Sequence, residues 1–233
     1  MPDSRERMLA RIRSSLQTND ELLARHADAY PPPHPPGPFV ATQLGPVEQF
    51  QEALTALHGR VHLCDGADAA VAQVLALLET AGVREVLAWS EDSVPLPTLL
   101  PQLQKAGIVV ADHQVLGTER TDRLAELEPV RAGISGADAA IAESGTMLVV
   151  SGAGRGRLAS LLPPLHIALL PVERIQRTLP EAFALLQSEF GAGLFRDHSN
   201  VTLITGPSRT GDIELSLTLG VHGPRDLHAI VIC

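Results

Sequence analysis

The sequence predicts an α/β protein, a mostly parallel sheet flanked by helices, with an N-terminal helical arm. Three observations predict it. From residue 46 onward, short apolar runs alternate with segments of helical spacing. Those runs are continuous rather than polar/apolar alternating, which fits strands buried on both faces. A proline-rich stretch at 31–38 sets an amphipathic first segment apart from the rest. The chain therefore divides into an arm and Pro-rich linker, 1–38, and an α/β domain, 39–233.

The elements follow in order. Residues 3–17 read as an amphipathic helix, with Asp3 and Glu6 as a capping box and Met8, Leu9, Ile12 and Leu16 on one stripe. A second short helix is expected over 20–30. A short isolated helix is marginal in water, so the arm needs a partner, its own core or another subunit, and of these a homo-oligomer contact is expected. Pro46 opens a helix carrying Val47, Phe50, Leu54 and Leu57, which Gly59 stops. Strands are expected at 61–64, 86–89 and 108–111. Helices are expected at 68–81, at 96–105 (weakened by Pro97 and Pro101) and at 120–127. The apolar runs 137–142 and 146–151, separated by Glu143-Ser144-Gly145, suit adjacent strands joined by a tight turn. A glycine-rich loop, 152–156, leads to a short helical stretch ending at 162. Strands at 166–170, 201–205 and 227–232 and a helix at 180–190 complete the pattern.

Composition narrows the function classes. Hydrophobic residues make up 45% and charged residues 19%, which supports a packed core. A net charge of −9 argues against general nucleic-acid binding, because phosphate contacts need a basic patch. No run of eighteen apolar residues predicts a membrane span, and the arginine-bearing first segment is not followed by an apolar signal core, so a cytoplasmic location is expected. The two cysteines, Cys64 and Cys233, cannot supply an iron–sulfur cluster or a thiolate zinc site. No metal site and no cofactor of this chain's own are expected. Cys64 reads as a buried small hydrophobe.

The polar loops of the C-terminal half are expected to carry the ligand chemistry. Glu143 sits where a buried strand ends, beside Gly145, and a carboxylate there can serve as nucleophile or general base. The alternative is a carboxylate that accepts turn N–H bonds. The stretch Gly206-Pro207-Ser208-Arg209-Thr210-Gly211-Asp212 follows a strand directly and packs two hydroxyls and a guanidinium between glycines, a good anion cradle. The alternative there is a loop whose Asp212 caps a following helix. Gly152-Ala153-Gly154-Arg155-Gly156-Arg157 resembles a phosphate loop only loosely, lacking the GxGxxG spacing and the Walker lysine, but its arginines can reach an anion. Gly220-Val221-His222-Gly223-Pro224 allows a sharp turn exposing His222, as proton shuttle or metal ligand, or else as a backbone hydrogen-bond donor. His166 reads as a core residue. The other histidines show no ligand spacing.

Four ordered motifs together resemble the LUD-domain family, and within it the type C lactate-utilisation proteins. They are the stretch from Ala137 through Glu143-Ser144-Gly145-Thr146, Ser160-Leu161-Leu162-Pro163-Pro164-Leu165-His166, Gly206 through Glu214, and Gly220 through Pro224. The resemblance covers roughly residues 130–232. It implies a fold similar to ribose-5-phosphate isomerases and CoA transferases. It also implies a non-redox place in an L-lactate-oxidising complex whose iron–sulfur clusters lie on cysteine-rich and iron–sulfur partner subunits. A cleft around Glu143, Ser144, Arg157, Ser208, Arg209 and Thr210 would then bind a small carboxylate or other anionic ligand. Two other readings stand beside it. One is a free-standing CoA-transferase- or sugar-phosphate-isomerase-like enzyme using Glu143. The other is a scaffold without catalysis.

Overall fold

The computed structural model describes residues 4–25, 42–113, 115, 120–198, 200–211 and 217–233. The chain forms two compact units, residues 1–41 and 42–233. The first contributes one helix, α1 (Ser4–Arg25), where two were expected. No proline or glycine lies between residues 17 and 20 to break it. Its stripe faces solvent, with Met8 59%, Ile12 48% and Leu16 58% exposed. The expected capping aspartate, Asp3, and the proline stretch fall outside the described residues.

The second unit starts with α2 (Pro46–Ala56), whose first turn carries Pro46 and which buries Phe50 and Leu54. Then come β1 (Arg60–Cys64), α3 (Gly66–Thr80), β2 (Glu85–Ala88), α4 (Leu99–Lys105), β3 (Val109–Ala111), α5 (Arg120–Leu127) and β4 (Ala132–Gly136). Helix α4 starts later than its spacing suggests. Leu96 precedes Pro97 and is held out of the helical region, while Pro101 falls in the first turn, where its missing N–H costs nothing. Strand β4 was not foreseen. It is Ala-Gly-Ile-Ser-Gly, without a β-branched run.

Beyond β4 lie β5 (Ala139–Ile141), a 3-10 turn (Ala142–Ser144), β6 (Thr146–Ser151), α6 (Leu158–Leu161), β7 (Leu165–Pro171) and β8 (Ile175–Gln176). The chain ends with α7 (Leu179–Phe190), β9 (Asn200–Ile204), β10 (Arg209–Gly211), β11 (Leu217–Leu219) and β12 (Asp226–Ile232). Strands β5 and β6 pair antiparallel across the expected tight turn, Ile141 opposite Thr146. The 206–212 stretch departs from expectation. Its second half is strand β10, paired antiparallel with β11, and Asp212 lies outside the described residues.

Six strands form one parallel sheet in the order β1-β12-β7-β4-β2-β3. Its apolar residues divide by parity. Ile134, Ile167, Leu169 and Ile230 pack with Val71, Val74 and Leu78 of α3. Ala168, Leu170, Ala229 and Val231 face Phe50 and Leu54 of α2 and Ala140 and Met147 of the second sheet. That second sheet, ordered β8-β5-β6-β9, turns its other face, Ala139, Ile141, Leu148 and Val150, onto Ala182 and Leu186 of α7. Period-two alternation thus produces stacked layers, each buried on both sides.

Strand order also fixes where a crevice can open. From β2 the chain moves outward to β3, and from β4 it moves the opposite way to β7. The connections leave the carboxyl ends of the neighbours β2 and β4 in opposite directions. Such a switch point is where open α/β sheets receive ligands.

Candidate functional site at the sheet's switch point

The residues beyond β2 and β4 meet the glycine-rich loop 152–156. Trp89 N–H extends the β2–β4 ladder, donating to the Ile134 carbonyl (3.1 Å). Ser90 then turns to the loop, its N–H donating to the Gly154 carbonyl at 2.9 Å. Ser90 Oγ lies 3.2 Å from the same carbonyl and 3.0 Å from Ser93 Oγ. The Trp89 indole donates to the Gly156 carbonyl (3.2 Å). Side chains on Gly154 and Gly156 would collide with the Ser90 and Ser93 hydroxyls and with the His113 ring respectively. The loop is glycine-rich because these groups press against its backbone.

Asp138, the second residue past β4, anchors the floor. Its Oδ2 accepts the Val150 N–H (2.7 Å), and its Oδ1 pairs with Arg155. Burial pushes the Asp138 carboxyl up, and Arg155 and the Val150 N–H only partly reverse that. The Arg155 guanidinium stands 5.3 Å from the Trp89 ring centroid and 5.6 Å from that of Phe190. Arg174 donates to the Asp138 carbonyl (3.0 Å) and pairs with Glu189, whose carboxyl it holds below the usual range. Arg157 is exposed, and the Asn200 amide positions it. With that amide oriented by its partners, its oxygen accepts from Arg157 Nε (2.9 Å) and Nη1 (3.3 Å), while its nitrogen donates to Ser151 Oγ. His198 packs edge-on against Phe190 at 4.8 Å, and its buried Nδ1 has no partner among the described residues.

The other sequence candidates lie elsewhere. Glu143 is exposed and its Oε1 accepts the Leu179 N–H (3.3 Å), the first residue of α7. The structure thus gives it the turn-capping role that sequence left open. Ser144, Thr146 and Thr205 form a chain of hydroxyls, with spacings of 2.7 and 2.8 Å. Gly145 takes φ +60 against the backbone of Leu54. Gly206 packs on the Leu57 carbonyl, with the Arg209 guanidinium beside it. So the Glu143 turn and the start of the 206 loop share one end of the β6–β9 pair and flank the end of α2. Ser208 N–H donates to the Pro224 carbonyl (2.7 Å), tying that loop to the turn that carries His222. Thr210 sits within β10.

Arg157 belongs with none of these. It contacts Asn200 opposite Ser151, whereas Thr146 stands at the far end of the same strand. Six extended residues separate such ends by about 17 Å. A single cleft holding Glu143, Arg157 and Arg209 is therefore not formed. The crevice also draws Trp89, Ser90, Ser93 and His113 from the first half of the chain, outside the C-terminal loops expected to carry the ligand chemistry. The polar run after the apolar stretch 86–88 and the aspartate just past β4 were the available signals.

The arrangement offers hydroxyls, imidazoles and one guanidinium, that of Arg157, which pairs with no carboxylate among the described residues. It suits binding of a small anion. Among the described residues no group of three or more His, Cys, Asp or Glu is placed to hold a metal ion, and no helix is long and apolar enough to cross a membrane.

Comparison with known proteins agrees with this architecture. The lactate utilization protein C of Halalkalibacterium halodurans is 35% identical over 148 residues, 64% of this chain and 62% of that protein. The protein of that name from Shouchella clausii is 33% identical over 155 residues, 66% of this chain and 65% of its own. The chain thus spans just under two thirds of these relatives' length. A crystal structure of a DUF162 family protein from Deinococcus radiodurans superposes with a TM-score of 0.58 at 23% identity, covering 82% of this chain and 99% of that one, and shows a shared fold. A family model described as LUD domain matches residues 47–232, from the first turn of α2 into the last strand. The chain belongs to the LUD domain family.

Proposed function

We propose that this chain is a non-redox subunit of an L-lactate-oxidising system, and that the crevice beyond β2 and β4 holds a small carboxylate. The names of its relatives support the metabolic setting. Two cysteines are too few for a cluster, so electron transfer would fall to iron–sulfur and cysteine-rich partner subunits. One observation carries the ligand class. Of the two arginines in the switch-point loop, Arg155 is neutralised by Asp138, while among the described residues Arg157 is held by the neutral Asn200 amide and by no carboxylate. An arginine fork positioned this way matches a carboxylate.

Calorimetry on the purified chain tests this. L-Lactate or pyruvate is expected to bind, and Arg157→Ala to weaken binding by about tenfold or more. An absence of heat from both acids at millimolar concentration would sink the ligand assignment. Deleting the gene should abolish growth on L-lactate where no other lactate dehydrogenase is present. The transferase or isomerase reading needs Glu143 to meet a substrate, and its carboxylate is instead engaged by α7. The scaffold reading would be favoured by tight partner binding without any small ligand.

A further inference from the structure

The opposite end of the parallel sheet, where strands begin, carries a cavity with charged walls. It measures about 290 Å³ and is lined by Arg60, Arg131, Arg225, Asp226 and His228 over an apolar floor that includes Leu77 and Val83. Strand register builds it. Arg60 and His228 are partners across β1 and β12, and alternation puts His62 and Asp226 on the same face. A guanidinium can only donate, so the Arg60 Nη1 to His228 Nε2 contact (3.1 Å) makes Nε2 an acceptor. The His228 proton then sits on Nδ1 and is donated to His62 Nε2 (2.9 Å). The ring centroids lie 5.2 Å apart with the two ring planes 2° from parallel. Burial holds both imidazoles below their usual range, so neither adds charge at neutral pH.

The charges do not balance. Asp226 is shared between Arg60 (3.6 Å) and Arg225 (3.4 Å), and Arg131 makes no ion pair among the described residues. Three guanidiniums face one carboxylate, in a chain whose net charge is −9. The last turn of α3 also lines the cavity through Thr80 and Ala81. The helix C-terminus contributes about half a negative charge, too little to cancel the excess. A cavity this size accepts a compact metabolite.

We propose that this cavity binds a small organic anion carrying two or more negative charges, a phosphate monoester or a polycarboxylate. The site is separate from the switch-point crevice, since β7 alone holds the two ends about 20 Å apart. It stands whether or not the lactate assignment does.

Titration calorimetry of the full chain with glycerol 3-phosphate and with citrate, at ionic strength fixed by sodium chloride, tests it. Saturable binding of at least one is expected, and which one binds identifies the anion class. The Arg131→Ala/Arg225→Ala variant should lose at least tenfold in affinity, while Arg157→Ala, at the other end, should bind normally. Three results would each overturn the proposal: no saturable heat from either anion up to millimolar concentration, unchanged affinity in the double variant, or loss in Arg157→Ala instead. If the double variant fails to unfold cooperatively, Arg131→Gln alone carries the same test, because that side chain makes no ion pair to lose.

Discussion

Arg155 and Arg157 stand two residues apart and are held in opposite ways. Arg155 is fixed by a buried carboxylate and by two aromatic rings, each contact of the latter kind contributing about 0.5–2 kcal/mol. Arg157 has no carboxylate partner among the described residues, which suits the one for structure and the other for ligand. Glu143 belongs to structure. Glu143→Gln removes an exposed charge from the N-terminus of α7 and should cost about 0.3–1 kcal/mol in urea unfolding, without changing lactate or pyruvate binding. A loss of ligand affinity there would restore Glu143 to the site. His166 carries a pH dependence. It is buried, its Nε2 lies 2.9 Å from Ser135 Oγ, and burial pushes it down from 6.5 to about 4. The unfolded chain takes up this proton near pH 6.5 and the folded chain does not until about pH 4. The stability it contributes is therefore full above 6.5 and is lost as pH falls toward 4, on the order of 3 kcal/mol in all. In Ser135→Ala/His166→Leu both polar groups leave together, so neutral-pH stability should change little while the acid-side slope of the urea midpoint flattens. An unchanged slope would assign the acid sensitivity to other groups.

Helix α6 is short, yet it bears on the proposed site, since Arg157 immediately precedes it and the glycine-rich loop feeds into it. Its seat is Gly133 of β4, where a Cβ would overlap the Ala159 carbonyl oxygen, and Gly136 of the same strand lies against Trp89 and Pro95. Small residues in β4 let α6 and the β2 loop approach closely. Gly133→Ala should force α6 off the sheet, lowering stability by about 1–3 kcal/mol in thermal or urea unfolding and weakening anion binding in the crevice together with it. A variant with wild-type stability and binding would show that α6 does not position the loop. Helix α7 is set more locally. Thr178 and Glu181 form a capping box, which its sequence spacing displays directly.

At the scale of the molecule, residues 42–233 hold the whole sheet system as one compact unit. A fragment beginning at Thr42 should unfold cooperatively, with a midpoint within about 4 °C of the full chain. Noncooperative melting would mean that the first unit is needed for the fold. Size-exclusion chromatography of the same fragment tests the association expected of the arm, because an unchanged oligomer size would remove that role. Sequence alone determined much of this protein: the α/β class, most strands and helices, the tight β5–β6 turn, and the family through its ordered motifs. These are written in hydrophobic period and turn residues, which act over a few positions. Strand β4 escaped because packing against α6 and Trp89, not local propensity, selected its small residues. Residues 209–211 became a strand because they pair with 217–219, a run where no strand was expected. The site was legible only in part. Arg155 and Arg157 were visible as charges in a loop, but which of them a carboxylate neutralises depends on Asp138. That Trp89, Ser90 and His113 join them, while Glu143 and Arg209 do not, follows from strand order, and strand order is a long-range choice that only the assembled sheet makes.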